Sequence, residues 1–239
     1  MSIWARIGDF IASLSSSARA GITDVVEALR TVFQGDAELR RRVAFSVAMI
    51  ALSAKMAKAD GVVTQDEIRA FREIFSVPPE EERNVARLYD LARQDVAGFE
   101  YYAQRLAGLC GTGHENCAML EDILDGLFHI AKADGLLHER ESWFLKRVSE
   151  IFRIDEAHYQ TILARHLDLG ASDPYRVLGI ERDRPFADVR AHYRRLIANN
   201  HPDKLIARGV PEEFVRIATS RVAAINAAYE TIEKAARAA

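Results

Sequence analysis

Apolar residues recur along this chain at the three- and four-residue spacing of helices. No segment carries a run of the alternating, β-branched pattern that marks half-buried strands. From Val43 to Ala54 no residue is charged. A stretch apolar all round predicts a helix buried on every side. It is well short of the ~20 apolar residues that a membrane span needs, so no transmembrane segment is expected. Six prolines, Pro78, Pro79, Pro174, Pro185, Pro202 and Pro211, stand where a helix could begin or a loop could turn. The chain reads as all-α.

Helix starts are marked by polar residues. Asp36 precedes the apolar run, and Asp95 and Asp155 are N-cap candidates. Thr64 and Glu67 have the spacing of a capping box, in which hydroxyl and carboxylate satisfy orphan amides reciprocally. Pro211, Glu212 and Glu213 predict the opening of the last helix. Residues 1–33 form a separate amphipathic stretch, with Ile3, Trp4, Ile7, Phe10, Ile11 and Leu14 on one helical face. That face could pack on the body or on a second copy in a homodimer, or lie as a peripheral contact in a membrane interface. Three basic and three acidic groups give this stretch no net pull toward anionic lipid.

Composition narrows the class. Of 239 residues, 49% are hydrophobic and 28% charged, which excludes wholesale disorder. The formal net charge of −3 argues against a basic nucleic-acid coat. The N-terminus lacks the pattern of a secretory leader. Two cysteines are too few for a disulfide framework, so a reducing cytoplasm is the expected compartment, with peripheral contact at the inner membrane left open. Cys110, His114 and Cys117 lack a fourth zinc ligand, and packing beside a turn at Gly111 and Gly113 accounts for them. Trp143 and Phe144 are expected to fill core. No phosphate loop or nucleophile motif is present, and the chain is not read as an enzyme.

Ala57-Lys58-Ala59-Asp60-Gly61 recurs 74 residues later as Ala131-Lys132-Ala133-Asp134-Gly135, and Glu67 and Glu141 keep that offset. One fixed offset predicts two related helical hairpins. The string is like the second half of a calcium loop, but Met56, Lys58, Ile130 and Lys132 occupy the places of early oxygen ligands. Two readings remain. Asp60, Glu67, Asp134 and Glu141 could converge on a shared divalent metal ion, or the aspartates shape turns while the glutamates cap helices. The duplicated pattern resembles the TerB family over residues 36–168. That resemblance implies a compact helical domain whose paired acids form a metal or ligand site.

The last third reads as a short helix from Asp173 closed at Gly179, a helix over residues 185–200, a loop to Gly209, and a long final helix. The second of these carries Phe186, Val189, Tyr193, Leu196 and Ile197 on one face, with Arg190, Arg194 and Arg195 on the other and His192 nearby. Two helices with facing apolar stripes pack as an antiparallel hairpin. Four strings run in order here: Tyr175-x-x-Leu178-Gly179, Tyr193-Arg194-Arg195-Leu196, His201-Pro202-Asp203-Lys204 and Ile225-Asn226-Ala227-Ala228-Tyr229. Together, over residues 173–239, they resemble the J-domain family of co-chaperones. The resemblance implies that the arginine face and the His201-Pro202-Asp203 loop, with Lys204, dock on a DnaK-type chaperone and stimulate its ATP hydrolysis. Charge fits such a role. Residues 174–239 carry 12 Lys and Arg against 8 Asp and Glu, whereas the remainder carries 20 against 27. A basic module on an acidic body suits an acidic partner surface.

A TerB-like domain ahead of a J-domain resembles the DjlA-type co-chaperone family, although the membrane-spanning N-terminal helix usual there is not seen. The chain also lacks a Gly/Phe-rich linker and zinc-binding repeats, which implies a particular client or regulatory protein as partner. A second reading makes the TerB-like half the active part, a metal- or ligand-sensing adaptor in a stress response. Nucleic-acid binding through the basic helix ranks below both, and no nucleic-acid partner is expected.

Overall fold

The computed structural model describes residues 37–60, 77–94, 98–110, 115–167, 172–207, 210–211 and 215–238. Among these, every regular element is helical. The α-helices are α1 (Ala37–Asp60), α2 (Glu82–Gln94), α3 (Phe99–Ala107), α4 (Ala118–Ala131), α5 (Glu139–Ile151), α6 (Glu156–His166), α7 (Pro174–Leu178), α8 (Phe186–Asn199), α9 (Pro202–Ala207) and α10 (Val215–Ala238), with a 3₁₀ turn at Gly108–Cys110. The N-terminal 33 residues, the Thr64–Glu67 box, Asp36 and Asp95 lie outside the described residues.

The uncharged run becomes the centre of the body. Helix α1 is packed by α2, α3, α4 and α5, and Val43, Phe45, Met49, Ile50 and Leu52 are fully buried around its circumference. Its two buried serines need no outside partner. Ser46 Oγ donates to the Arg42 carbonyl at 3.1 Å, and Ser53 Oγ donates to the Met49 carbonyl at 2.6 Å. This back-bonding lets small polar side chains sit in an apolar core.

Helix α5 turns Phe144, Leu145 and Val148 inward. Trp143, one position off that face, is 59% exposed and meets only the edge of the core through Phe99, 5.8 Å away in a T-shaped pair. The expectation that Trp143 fills core is therefore corrected, and Phe144 alone does so. Helix α5 ends in a left-handed residue, Arg153, with φ of 56°. The Ile154 amide donates back to the Ser149 carbonyl there, and the Arg153 amide to that of Glu150. Asp155 caps α6 as expected, its carboxylate accepting from the His158 amide at 2.8 Å. Asn116 ties that cap to the chain entering α4, donating to Asp155 Oδ2 at 2.7 Å and accepting from the Asp155 amide at 2.9 Å.

The cysteines depart from expectation. Cys110 and Cys117 form a disulfide with Cα atoms 6.4 Å apart, joining the 3₁₀ turn to the N-cap of α4. The two cysteines are seven residues apart, and Gly111 and Gly113, where a turn was expected, lie outside the described residues.

The C-terminal segment is a hairpin of α8 and α10 closed by α7. Asp173 caps α7, and Gly179 ends it in the left-handed region at φ of 67°, where a Cβ would meet Thr161 of α6. Tyr193 stacks on Tyr229 with centroids 4.0 Å apart, and its hydroxyl donates to Asn226 Oδ1. Val189, Ile225, Ala228 and Ile232 form this hairpin's own small core. The loop expected between His201 and Gly209 instead contains α9, because Pro202 takes the first helical position, where its missing N–H is not needed. The start of the last helix at Glu212 and Glu213 lies outside the described residues, and Pro211 is buried coil ahead of it.

The two parts share a core. Leu205, Val210, Ile217 and Ala218 belong to the same buried cluster as α1 and α4, not to that of the hairpin. Gly126 of α4 makes room at this junction, since a Cβ there would stand 2.6 Å from Met49 Cε and 2.8 Å from Ile217 Cδ1.

Candidate functional site

The His-Pro-Asp loop begins at the C-cap of α8. His201 is 59% and Asp203 86% exposed, Lys204 is exposed, and Pro202 is half-buried. The Asp203 amide donates to His201 Nδ1 at 3.3 Å, and the Lys204 amide donates to the His201 carbonyl at 2.9 Å. The loop therefore holds its own shape while His201, Asp203 and Lys204 face solvent.

Arg190, Arg194 and Arg195 are exposed on α8, on the same hairpin. They have no ion-pair partner among the described residues. The Arg190 guanidinium lies over the Phe186 ring, 5.2 Å from its centroid, which limits its freedom without neutralising it. His192 does not join this face. Its Nε2 reaches the Leu178 carbonyl at 2.8 Å and ties α8 to α7.

Of the four acids proposed to share a metal, Asp134 and Glu141 have described side chains. Asp134 accepts from the Leu136 amide at 3.0 Å and lies 3.1 Å from His138 Nε2. The Leu136 hydrogen bond is the largest influence holding its carboxyl below the usual range. Glu141 is only 3% exposed and accepts from the His138 amide at 2.9 Å, a capping-box contact at the start of α5. Both contacts match the turn-and-cap reading. The Asp60 side chain and all of Glu67 lie outside the described residues. No group of three or more potential metal ligands occurs among those described.

Sequence reasoning missed a buried ionic cluster where body and hairpin meet. Arg221 of α10 is nearly fully buried. Its Nε and Nη2 donate to Asp125 Oδ2 at 3.1 and 3.0 Å, and its Nη1 donates to Asp122 Oδ1 at 2.7 Å and to Asn200 Oδ1 at 2.9 Å. His166, at the end of α6, adds a contact of 3.0 Å to the other oxygen of Asp125. Burial opposes the charge on Asp125, but Arg221 and His166 outweigh it and hold the carboxyl well below the usual range. Burial likewise opposes the charge on Arg221, and Asp125 and Asp122 more than offset it. Arg165 beside them is pushed down to about 10 by burial and by Arg221. Asp122 and Asp125 did leave a signal, two acids three apart among Ile123, Leu124, Leu127 and Phe128. What the sequence did not show was the cation, 96 residues beyond Asp125.

Comparison with known proteins fits this geometry. The tellurite resistance protein TerB family matches residues 46–164, and the DnaJ domain family matches residues 173–239. A co-chaperone protein DjlA of Coxiella burnetii is 29% identical over 199 residues, covering 75% of this chain and 73% of the relative. One from Photobacterium profundum is 28% identical over 224 residues, covering 81% and 78%. One from Photorhabdus laumondii is 40% identical over 63 residues, covering 26% of this chain and 23% of its own. No solved structure matches the chain.

Proposed function

We propose that this chain, which carries a TerB domain followed by a C-terminal J-domain in the DjlA architecture, docks on a DnaK-type chaperone and stimulates its ATP hydrolysis. The observation that carries the reading is the exposure of His201 and Asp203 on a loop whose backbone is already hydrogen-bonded into shape. A loop ordered before binding loses little conformational freedom on docking. Pro202 adds to this by fixing its own φ. Arg190, Arg194 and Arg195 offer planar donors suited to bidentate pairing with carboxylates on an acidic partner surface. Their charge speeds encounter, and the loop then supplies the trigger. The TerB body, in this reading, selects the client or the place of action.

The test is single-turnover ATP hydrolysis by the DnaK-type chaperone of the same cell. The wild-type chain accelerates hydrolysis and His201→Gln does not. Equal acceleration by the two proteins would refute the proposal.

A further inference from the structure

The His-Pro-Asp loop is tied toward the TerB body at both ends, at one through Arg221 of α10 and at the other through the shared core. Asn200, the residue before His201, is buried, and its Oδ1 accepts from Arg221 Nη1 at 2.9 Å. The same nitrogen donates to Asp122 on α4 at 2.7 Å, and the rest of the guanidinium is fixed by two hydrogen bonds to Asp125. Asn200 Nδ2 donates to the Leu196 carbonyl at 2.8 Å, so this side chain also sets how α8 ends. On the far side of the loop, Leu205 is buried in the core cluster of α1 and α4. Only His201, Pro202, Asp203 and Lys204 stand between these two anchors.

We propose that Asp122, Asp125, Arg221 and Asn200 are positioning residues for chaperone stimulation, through which the TerB body sets the direction of the His-Pro-Asp loop. The arginine face of α8 lies outside this linkage, so docking and triggering are separable. Loosening the linkage leaves Arg190, Arg194 and Arg195 able to bind. It spreads the loop over orientations of which few reach the chaperone correctly. A buried guanidinium shared between two carboxylates and one amide has few alternative partners, which makes the linkage directional.

The inference rests on the proposed function, and the experiment separates the two. Full-length wild type, Asn200→Ala, Asp122→Asn and His201→Gln are compared. Asn200→Ala leaves the Arg221–carboxylate pairs in place, and Asp122→Asn is isosteric, so folding is retained and is checked by thermal melting. Chaperone ATP hydrolysis is measured against co-chaperone concentration. Amide exchange of Lys204 and Leu205, both bonded to the His201 carbonyl, is measured by NMR without the chaperone.

For Asn200→Ala and Asp122→Asn the maximal rate falls by about fivefold while the half-saturating concentration is unchanged. Exchange at Lys204 and Leu205 quickens, and exchange in the middle of α8 does not. A wild-type maximal rate in either folded variant overturns the inference, as does wild-type exchange. If wild type stimulates no better than His201→Gln, the proposed function falls, and the exchange rates still decide whether the body sets the loop.

Discussion

Removing the cation at the domain junction is the most demanding test of the electrostatics. Arg221→Met keeps a long flexible side chain but deletes four hydrogen bonds from the guanidinium, two to Asp125 and one each to Asp122 and Asn200. It leaves the Asp122 and Asp125 carboxylates buried close together without their bonds to Arg221, while His166 still contacts Asp125 and Arg165 stays beside them. Breaking a buried pair by deleting one partner costs about 3–5 kcal/mol, because the survivor stays buried without compensation. For a chain of this size each kcal/mol moves Tm by about 2–4 °C, so the variant melts at least about 6 °C below wild type at pH 7. The pH dependence supplies the sign. In wild type the Asp125 carboxyl lies below its unfolded value of about 3.9, so its contribution is complete above that pH and fades as pH falls. In the variant burial acts on Asp125 without Arg221 opposing it, so its carboxyl rises relative to wild type, and the cost of keeping it charged is full at neutral pH and relieved by protonation as pH falls. The gap between the two melting temperatures therefore narrows from pH 7 toward pH 4.5. A cost below about 1 kcal/mol at pH 7, or a gap that does not narrow, would refute the argument that burial and not surface pairing governs this cluster.

Three further outcomes follow. Arg194→Glu combined with Arg195→Glu raises the half-saturating concentration in the ATPase assay by about tenfold, with a smaller penalty at high salt, because the contribution is long-range attraction. Phe144→Ala lowers stability by about 3–5 kcal/mol, whereas Trp143→Ala lowers it by less than about 1 kcal/mol; urea unfolding that found the two equal would contradict the burial assigned to each. Asp155→Ala costs about 1–2 kcal/mol through loss of the α6 cap. The Asp155 carboxyl is held down to about 2, chiefly by the His158 amide, against about 3.9 unfolded. Its contribution is thus present above pH 4 and disappears as pH falls toward 2, so acid unfolding of the variant shows a shallower fall in stability over that window.

The parts legible in the sequence were those set by neighbours along the chain. An uncharged run from Val43 to Ala54 pointed to a buried helix, and α1 is that helix. Asp155 and Gly179 announced a start and an end through local backbone chemistry, and both stand where expected. The J-domain strings were legible because their residues lie in fixed order on one hairpin. The misses were relations across the fold. Trp143 and Phe144 are adjacent, and only the angle at which α5 meets the core decides which one is buried. The Cys110–Cys117 pair depends on how the 3₁₀ turn meets the start of α4. Arg221 read as one basic residue among several until α10 was seen to bring it against α4. The charge division that placed a basic module beside an acidic body was correct as arithmetic. It concealed that one cation of the module is spent inside the junction and is not offered to a partner.

The shared core carries a consequence for the order in which the chain is made. Leu205, Val210, Ile217 and Ala218 complete the buried cluster of α1 and α4, yet they follow both helices along the chain and are synthesised after them. Until they arrive, Met49 and Gly126 border an open apolar face. A nascent or prematurely terminated chain would thus expose the kind of surface that chaperones capture. Closing that face requires synthesis through Ala218, past the His201-Pro202-Asp203 loop, so completion of the body's core and anchoring of the loop belong to one folding step.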